Sequence, residues 1–401
     1  MSLELKLAES SARPAARPMD TAEALARARE LAPRIRARAA EAEEQRRIPD
    51  ETIAELQESG LFQILTPELF GGAELGVAAL LQVTTELAAA CGSTGWVYGV
   101  LAGHSWMLNL LPEAGQREVL SNPKSLTATV FRLNGDVEVV DGGYRLRNGQ
   151  GRFCSGIDFA DWVMVGNAAK RPDGSVEPRF FVVSKTDVEV VDDWFTTGMR
   201  GTGSRSIKIA DAFIPAHRSI SIAEMSGGRA PGTELHGGSI YRMSFADVTP
   251  FSIAGAPLGM AKGALALAIE GLGRSGGSSG PSEDTLVRLA EAAAAIDAAE
   301  RLMLGDARMI DSAAPGDLDR LRRAGLARDW AYGARLVRGA INQLFELCGG
   351  STIYLSSDVQ RLWRDANSAA QHRAFNWSLG MADYGRALLS LDTQGYKLKT
   401  S

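Results

Sequence analysis

The spacing of apolar residues changes twice along this chain, and that double change restricts the fold more than any single motif. Up to about residue 122 the apolar positions recur at helical intervals. From Ser125 short alternating runs take over: SLTATVF, DVEVV, YRLRNG, DWVMVGNA, PRFFVVS, VEVVDDW and SIKIADAFIP. Gly, Asp and Asn punctuate them, as they do antiparallel strands. From about Phe251 the helical period returns and holds to Leu391. A block of strands between two helical regions predicts an α+β protein. The expected domains are an N-terminal helical domain (21–122), a central antiparallel β-barrel or sandwich (123–222) and a C-terminal four-helix bundle (223–401), with residues 1–20 a disordered N-terminus.

Within the first block, Thr21 to Arg47 is rich in Ala, Glu and Arg, with Leu25, Leu31 and Ile35 on one face. An amphipathic helix kinked at Pro33 is expected. Asp50 is placed to N-cap a second helix that buries Ile53, Leu56 and Leu61 and ends at Gly60. Val77–Ala90 and Ser93–Leu111 read as buried helices, the latter interrupted around Gly99 and Gly103. In the last block four long helices are expected, the fourth over Val359–Leu391.

A chain of 401 residues, 45% hydrophobic, has enough apolar surface for several subdomains. Its 43 basic and 48 acidic residues are interspersed, giving a net charge of −5 and no basic groove for nucleic acid. Cys91, Cys154 and Cys348 are far apart and lack a C-x-x-C, which fits free thiols in a reducing cytoplasm and no metal site. Residues 1–18 carry two Ala-Arg-Pro repeats without the apolar segment of a signal peptide. No 18-residue apolar span is expected, so neither is a membrane partner.

Several stretches carry residues capable of chemistry. Gln343–Ser378 holds a glycine pair, an Arg-Asp pair and a histidine seven residues past Asp365. Leu347, Tyr354, Leu355, Val359, Leu362 and Trp363 follow buried-helix spacing. Gly349-Gly350 is either a helix C-cap or a place where bare backbone N–H groups meet an anion. Ser155, in GRFCSGIDFADW, is either a turn hydroxyl or a ligand contact. His104 lies in an otherwise apolar stretch, where a satisfied core histidine is the commoner role, and Trp96 and Trp106 read as core. In WFTTGMRGTGS the glycines run G-x-x-G-x-G before a strand, the reverse of a dinucleotide fingerprint, so they mark a turn. Gly273–Gly277 fits G-x-S-x-G, but no strand precedes it and a loop is the better reading. Arg274 in that loop is either solvated near a helix end or a phosphate contact.

Together, Q-x4-C-G-G-S-x-x-Y with R-L-W-R-D-A, GLFQILTPELFGGAELG and G-M-R-G-T-G-S resemble the acyl-CoA dehydrogenase superfamily across roughly Thr21–Leu391. The resemblance implies the acyl-CoA dehydrogenase-like fold and a flavin site. It implies that Phe153 packs on the isoalloxazine and Ser155 hydrogen-bonds near N5, with Thr129 on the flavin as well. Gly349, Gly350 and Ser351 belong to the implied flavin-binding segment, and Arg274 is matched to a phosphate contact on a neighbouring subunit's flavin. The family's dehydrogenases carry a catalytic glutamate, but there is no Glu from Ala366 to Tyr384 and none between Glu234 and Glu270. His372 stands in the first of those regions. A histidine there, with His104 on the wall facing the substrate, resembles the reduced-flavin-dependent monooxygenases of this fold, the oxygenase halves of two-component systems.

That resemblance implies FMNH2 or FADH2 and O2 as cosubstrates, a C4a-hydroperoxyflavin, and hydroxylation or epoxidation of a small phenolic or indolic substrate. Ser155 would restrain the N5 proton, and His372 would hold the peroxide or accept a proton from the substrate. A separate NAD(P)H:flavin reductase is the expected partner, since no NAD(P)H fingerprint is present. A homotetramer or homodimer is expected by analogy. The alternatives are a dehydrogenase with a displaced base, an N- or S-oxygenase of the same fold, or a catalytically inert scaffold.

Overall fold

The computed structural model describes residues 19–391 apart from 227, 276–279 and 315. The expected disordered N-terminus lies almost wholly outside the described residues, as does half of the 273–280 loop. Helix α1 (Thr21–Ala37) starts where Asp20 accepts the Glu23 N–H, and it runs through Pro33 without ending. The break comes later, at Arg38, before α2 (Ala39–Gln45). Arg38 is held there by ion pairs to Glu51 and Glu55 of α3 (Asp50–Glu58). Asp50 does not cap α3: Pro49 precedes the helix and Asp50 lies in its first turn, where a negative charge still suits the helix dipole.

Helix α4 (Val77–Ala90) and helix α5 (Gly92–Leu108) follow, then α6 (Glu113–Val119). α5 is continuous, contrary to the interruption expected at Gly99 and Gly103. Those glycines are there for close approach. A Cβ at Gly99 would strike the carbonyl of Ser252, and one at Gly103 its side chain. Ser252 belongs to α8 (Phe251–Ser275), which follows the short α7 (Phe245–Val248). Gly255, Gly259 and Gly263 of α8 meet backbone carbonyls of α4 in the same way, so α8 packs backbone against backbone on both neighbours. Segment Phe245–Arg274 contains an 18-residue window of mean hydropathy 1.4, which corrects the expectation that no long apolar span exists. It is mostly buried inside the protein, as befits a core helix.

Eight strands form one sheet: β1 (Thr127–Val130), β2 (Asn134–Val140), β3 (Gly143–Cys154), β4 (Trp162–Lys170), β5 (Val176–Ser184), β6 (Glu189–Val191), β7 (Arg205–Pro215) and β8 (Ser219–Ser221). The order is β6-β7-β3-β2-β4-β5-β8, with β1 on β4. The sheet is mixed, not purely antiparallel as expected. β1 runs parallel to β4, and β2 meets β4 parallel at Val137 and Glu138. The β2–β3 hairpin lies between β1 and β4 in sequence, so the chain returns to β4 in its original direction.

The bundle comprises α8, α9 (Glu283–Ser312), α10 (Arg320–Leu347), α11 (Asp358–Ala369) and α12 (Trp377–Leu388). The fourth long helix is thus two short ones, separated where His372 caps a single 3-10 turn. Asp311 of α9 accepts the Val77 and Ala78 N–H groups, capping α4 from the opposite domain. Cys91 and Cys154 are buried and Cys348 half-buried, all as free thiols. Burial raises all three thiol pKa values, that of Cys154 to about 12.

Close packing at Gly99 gives a paired test. Gly99→Ala is expected to destabilise by about 1–3 kcal/mol, because Ser252 cannot move away. Gly339→Ala, exposed on α10 with nothing near its Cβ position, is expected to be neutral or stabilising by about 0.5–1 kcal/mol. Denaturant midpoints of the two variants should shift in these opposite senses.

Candidate active site

The site is assembled where β3 ends. Its register against β7 slips between Gly151 and Cys154, and this bulge puts Phe153 at φ +62°. Phe153 is turned outward, 69% exposed, with its ring edge-on to Trp194 at 6.0 Å. Ser155, two residues on, points inward and is buried. Its hydroxyl receives the indole N–H of Trp96 at 3.2 Å and lies 2.6 Å from the Ser204 hydroxyl. Ser204 in turn lies 2.7 Å from Thr202, whose hydroxyl donates to the Met199 carbonyl at 2.8 Å. The turn around Gly198–Ser204, which seemed mute about chemistry, therefore supplies two hydroxyls behind Ser155. Trp96 is also more than core, and nothing in its own apolar surroundings signalled this.

That turn is seated by the R-D pair of α11. Asp365 is buried and accepts the Met199 N–H at 2.5 Å, while Arg364 donates to the Thr197 carbonyl at 2.7 Å and pairs with Glu43 at 2.5 Å. A Cβ at Gly198 would collide with the Arg364 carbonyl. Burial pushes the Asp365 carboxyl up to about 6, against the opposing pull of the Met199 N–H and Arg364.

Two imidazoles complete the cluster. The His372 ring stands edge-on to Trp96 at 5.9 Å. Its Nδ1 accepts the Ala374 N–H at 3.2 Å, which places the neutral ring's proton on Nε2. The surrounding protein and the Arg373 charge lower its pKa, although the ring's open surface lets water offset part of this. His104, on α5, is fully enclosed. Burial, and then the nearby His372, lower its pKa to about 3. The Ser252 hydroxyl spends its proton on the Thr249 carbonyl at 2.7 Å. Its 3.5 Å contact with His104 Nε2 therefore needs the imidazole proton, leaving Nδ1 a buried acceptor without a partner. Thr129 Oγ1, on β1, is likewise buried and unpartnered. Besides burial, His372 acts on His104 and Arg373 acts on His372, each lowering the ring's pKa.

The remaining predicted residues are not brought to this cluster within one chain. Arg274 lies on the last turn of α8, paired with Glu270 at 2.5 Å. It is twenty-two residues from Ser252, about 33 Å along the helix axis. Gly349, at φ +74°, and Gly350 follow α10 with nothing against either, and Ser351 is exposed. Beside them Ile353, Tyr354 and Leu355 are 71%, 67% and 79% exposed, an apolar strip unusual for a finished surface.

Residues 19–121 match the acyl-CoA dehydrogenase N-terminal domain, and residues 251–377 match the C-terminal domain. The flavin-dependent monooxygenase oxygenase subunit HsaA of Mycobacterium tuberculosis is 34% identical over 366 residues, 88% of this chain and 92% of that protein. Its crystal structure superposes with a TM-score of 0.89 at 32% identity, covering 93% of this chain and 98% of the other. The oxygenase component of an FADH2-dependent resorcinol hydroxylase from a Rhizobium species is 33% identical over 90% of this chain and 92% of its own. XiaF from a Streptomyces species, solved with FADH2 and glycerol, gives a TM-score of 0.86 at 30% identity, over 93% and 96% of the two chains. The chain belongs to the acyl-CoA dehydrogenase family. Within that family it is a flavin-dependent monooxygenase, an oxygenase component.

The state of His104 can be checked directly. Its folded pKa of about 3 lies below the ordinary 6.5, so between these values the unfolded chain binds the extra proton. Stability is then expected to fall as pH drops from about 6.5 towards 3. His104→Gln should flatten that slope in denaturant titrations, and the His104 ring should show no NMR titration above pH 5.

Proposed function

We propose that this protein uses reduced flavin, FMNH2 or FADH2, and O2 to hydroxylate or epoxidise a small phenolic or indolic substrate. A separate NAD(P)H:flavin reductase would supply the flavin. The observation that carries this reading is a pair of imidazoles, His104 with an acceptor at Nδ1 that has no partner among the described residues and His372 with a donor at Nε2. A dehydrogenase of this family would instead need a carboxylate base placed to abstract an α-proton from a thioester.

The residues fit a flavin. The exposed Phe153 ring offers a flat apolar face, Ser155 a hydroxyl oxygen, and Thr129 an orphaned hydroxyl. When bound, reduced flavin supplies the activation of O2. In this reading Phe153 packs on the isoalloxazine, Ser155 meets N5 and Thr129 satisfies its hydroxyl on the ring system. His104 Nδ1 accepts the O–H or N–H of the arene and so orients it. His372 presents Nε2–H to an oxygen, and it takes up a substrate proton only by giving up its bond to Ala374.

Gly349–Ser351 and Arg274 would act across a subunit boundary, so we expect a homodimer or homotetramer. The bare strip Ile353–Leu355 supports this, since a second copy would cover it. A chain with three free thiols suits the cytoplasm.

The test is a screen of phenols and indoles with NADH, a generic flavin reductase and FMN or FAD, followed by mass spectrometry for oxygenated product. His372→Ala is expected to lose product about 100-fold or more while still binding flavin. Equal activity would remove His372 from the chemistry. Reduction of bound flavin by an acyl-CoA under anaerobic conditions would replace the oxygenase reading with the dehydrogenase one. Light scattering should report a multiple of 42.7 kDa, and a monomer would exclude the shared-site arrangement.

A further inference from the structure

The hydroxyls behind Ser155 can be followed proton by proton. A hydroxyl has one proton and two lone pairs, a carbonyl oxygen only lone pairs, and an indole N–H only donates. The 2.8 Å contact between Thr202 Oγ1 and the Met199 carbonyl therefore takes the Thr202 proton. The 2.7 Å contact between Thr202 and Ser204 must then use the Ser204 proton. The 2.6 Å contact between Ser204 and Ser155 must use the Ser155 proton. Trp96 donates into one Ser155 lone pair. What remains on Ser155 is a single lone pair and no proton. All three hydroxyls are buried, with Ser155 retaining only 6% exposure, so water does not compete to reorient them.

We propose that Ser204 and Thr202 are positioning residues that commit the Ser155 hydroxyl to the protein interior. Its oxygen can then only accept, and the site thereby selects reduced over oxidised flavin. The chemistry of the ligand supplies the selection. Reduced flavin carries a proton on N5 and donates there, whereas oxidised flavin has a bare nitrogen that would face the Ser155 lone pair. An acceptor facing an acceptor in a buried site costs what a lost hydrogen bond costs. The Met199 carbonyl sets the direction of the whole relay, and Asp365 holds that residue from its N–H side.

This inference rests on the proposed placement of flavin N5 at Ser155, and the two can be separated by experiment. Oxidised and anaerobically reduced FMN and FAD are titrated into the full-length wild-type protein and into Ser155→Ala, Ser204→Ala, Thr202→Val and Trp96→Phe. The readout is the ratio of the Kd for oxidised to that for reduced flavin. Wild type should favour the reduced form. Ser204→Ala frees the Ser155 proton to point at a bare N5, so the ratio should fall about tenfold, chiefly by tighter binding of oxidised flavin. Thr202→Val should shift it the same way by less, because Ser204 can then turn its own proton back towards Ser155. Trp96→Phe leaves Ser155 donating to Ser204 and should keep the ratio, which separates proton direction from packing. An unchanged ratio in both Ser204→Ala and Thr202→Val, with Ser155→Ala still weakening reduced flavin, overturns the relay and leaves the flavin placement standing. Reduced-flavin binding that ignores Ser155→Ala overturns both.

Discussion

A buried carboxylate bonded to one backbone N–H holds the Ser155 cluster of this molecule in register. Asp365 reaches from α11 to Met199 in the strand-connecting turn, and its side chain fits only because Gly92 at the start of α5 has no Cβ to block it. Three regions distant in sequence thus meet at one side chain. An isolated buried carboxylate is costly, and its raised pKa shows as much. The cost is offset by the Met199 N–H and by Arg364, itself tied to Glu43 of the N-terminal helices. Ser204, Thr202 and Ser155 inherit their places from this clamp.

Much of the architecture was legible because periodicity reports burial. The helical and strand blocks, the turn after Gly60 and the end of α10 before Gly349 all follow from side chains recurring on the side that packs. Where local reading failed, a distant partner had decided the outcome. Gly99 and Gly103 look like helix breakers until Ser252 is found against them. Pro33 marks where the sequence suggests a change of direction, yet the helix ends only at Arg38, which is paired with Glu51 and Glu55. Direction within the sheet is likewise set by where the chain returns, and alternation along a strand says nothing about its neighbour's direction.

The site shows the same division. Ser155, His104 and His372 were named from the sequence; the structure brings Ser155 and His372 around Trp96 and puts His104 within electrostatic range of His372. Trp96 itself was read only as core, and Ser204 and Thr202 were not singled out. An indole in an apolar helix, and small hydroxyls in a glycine-rich turn, have innocent local explanations. Only three-dimensional proximity shows that one N–H and two hydroxyls converge on the same serine. Arg274 and the Gly349–Ser351 turn stand apart from the cluster in a single chain.

An enzyme that handles oxygen at a reduced cofactor releases hydrogen peroxide whenever turnover fails, and its own sulfur is the nearest target. Peroxide oxidises the thiolate far faster than the thiol. Cys154 sits at the very end of the strand that delivers Ser155, yet its enclosure keeps it protonated, and Cys91 is sealed beside Asp365 in the same condition. The packing that builds the pocket therefore also keeps these two thiols protonated, and so poor nucleophiles towards peroxide.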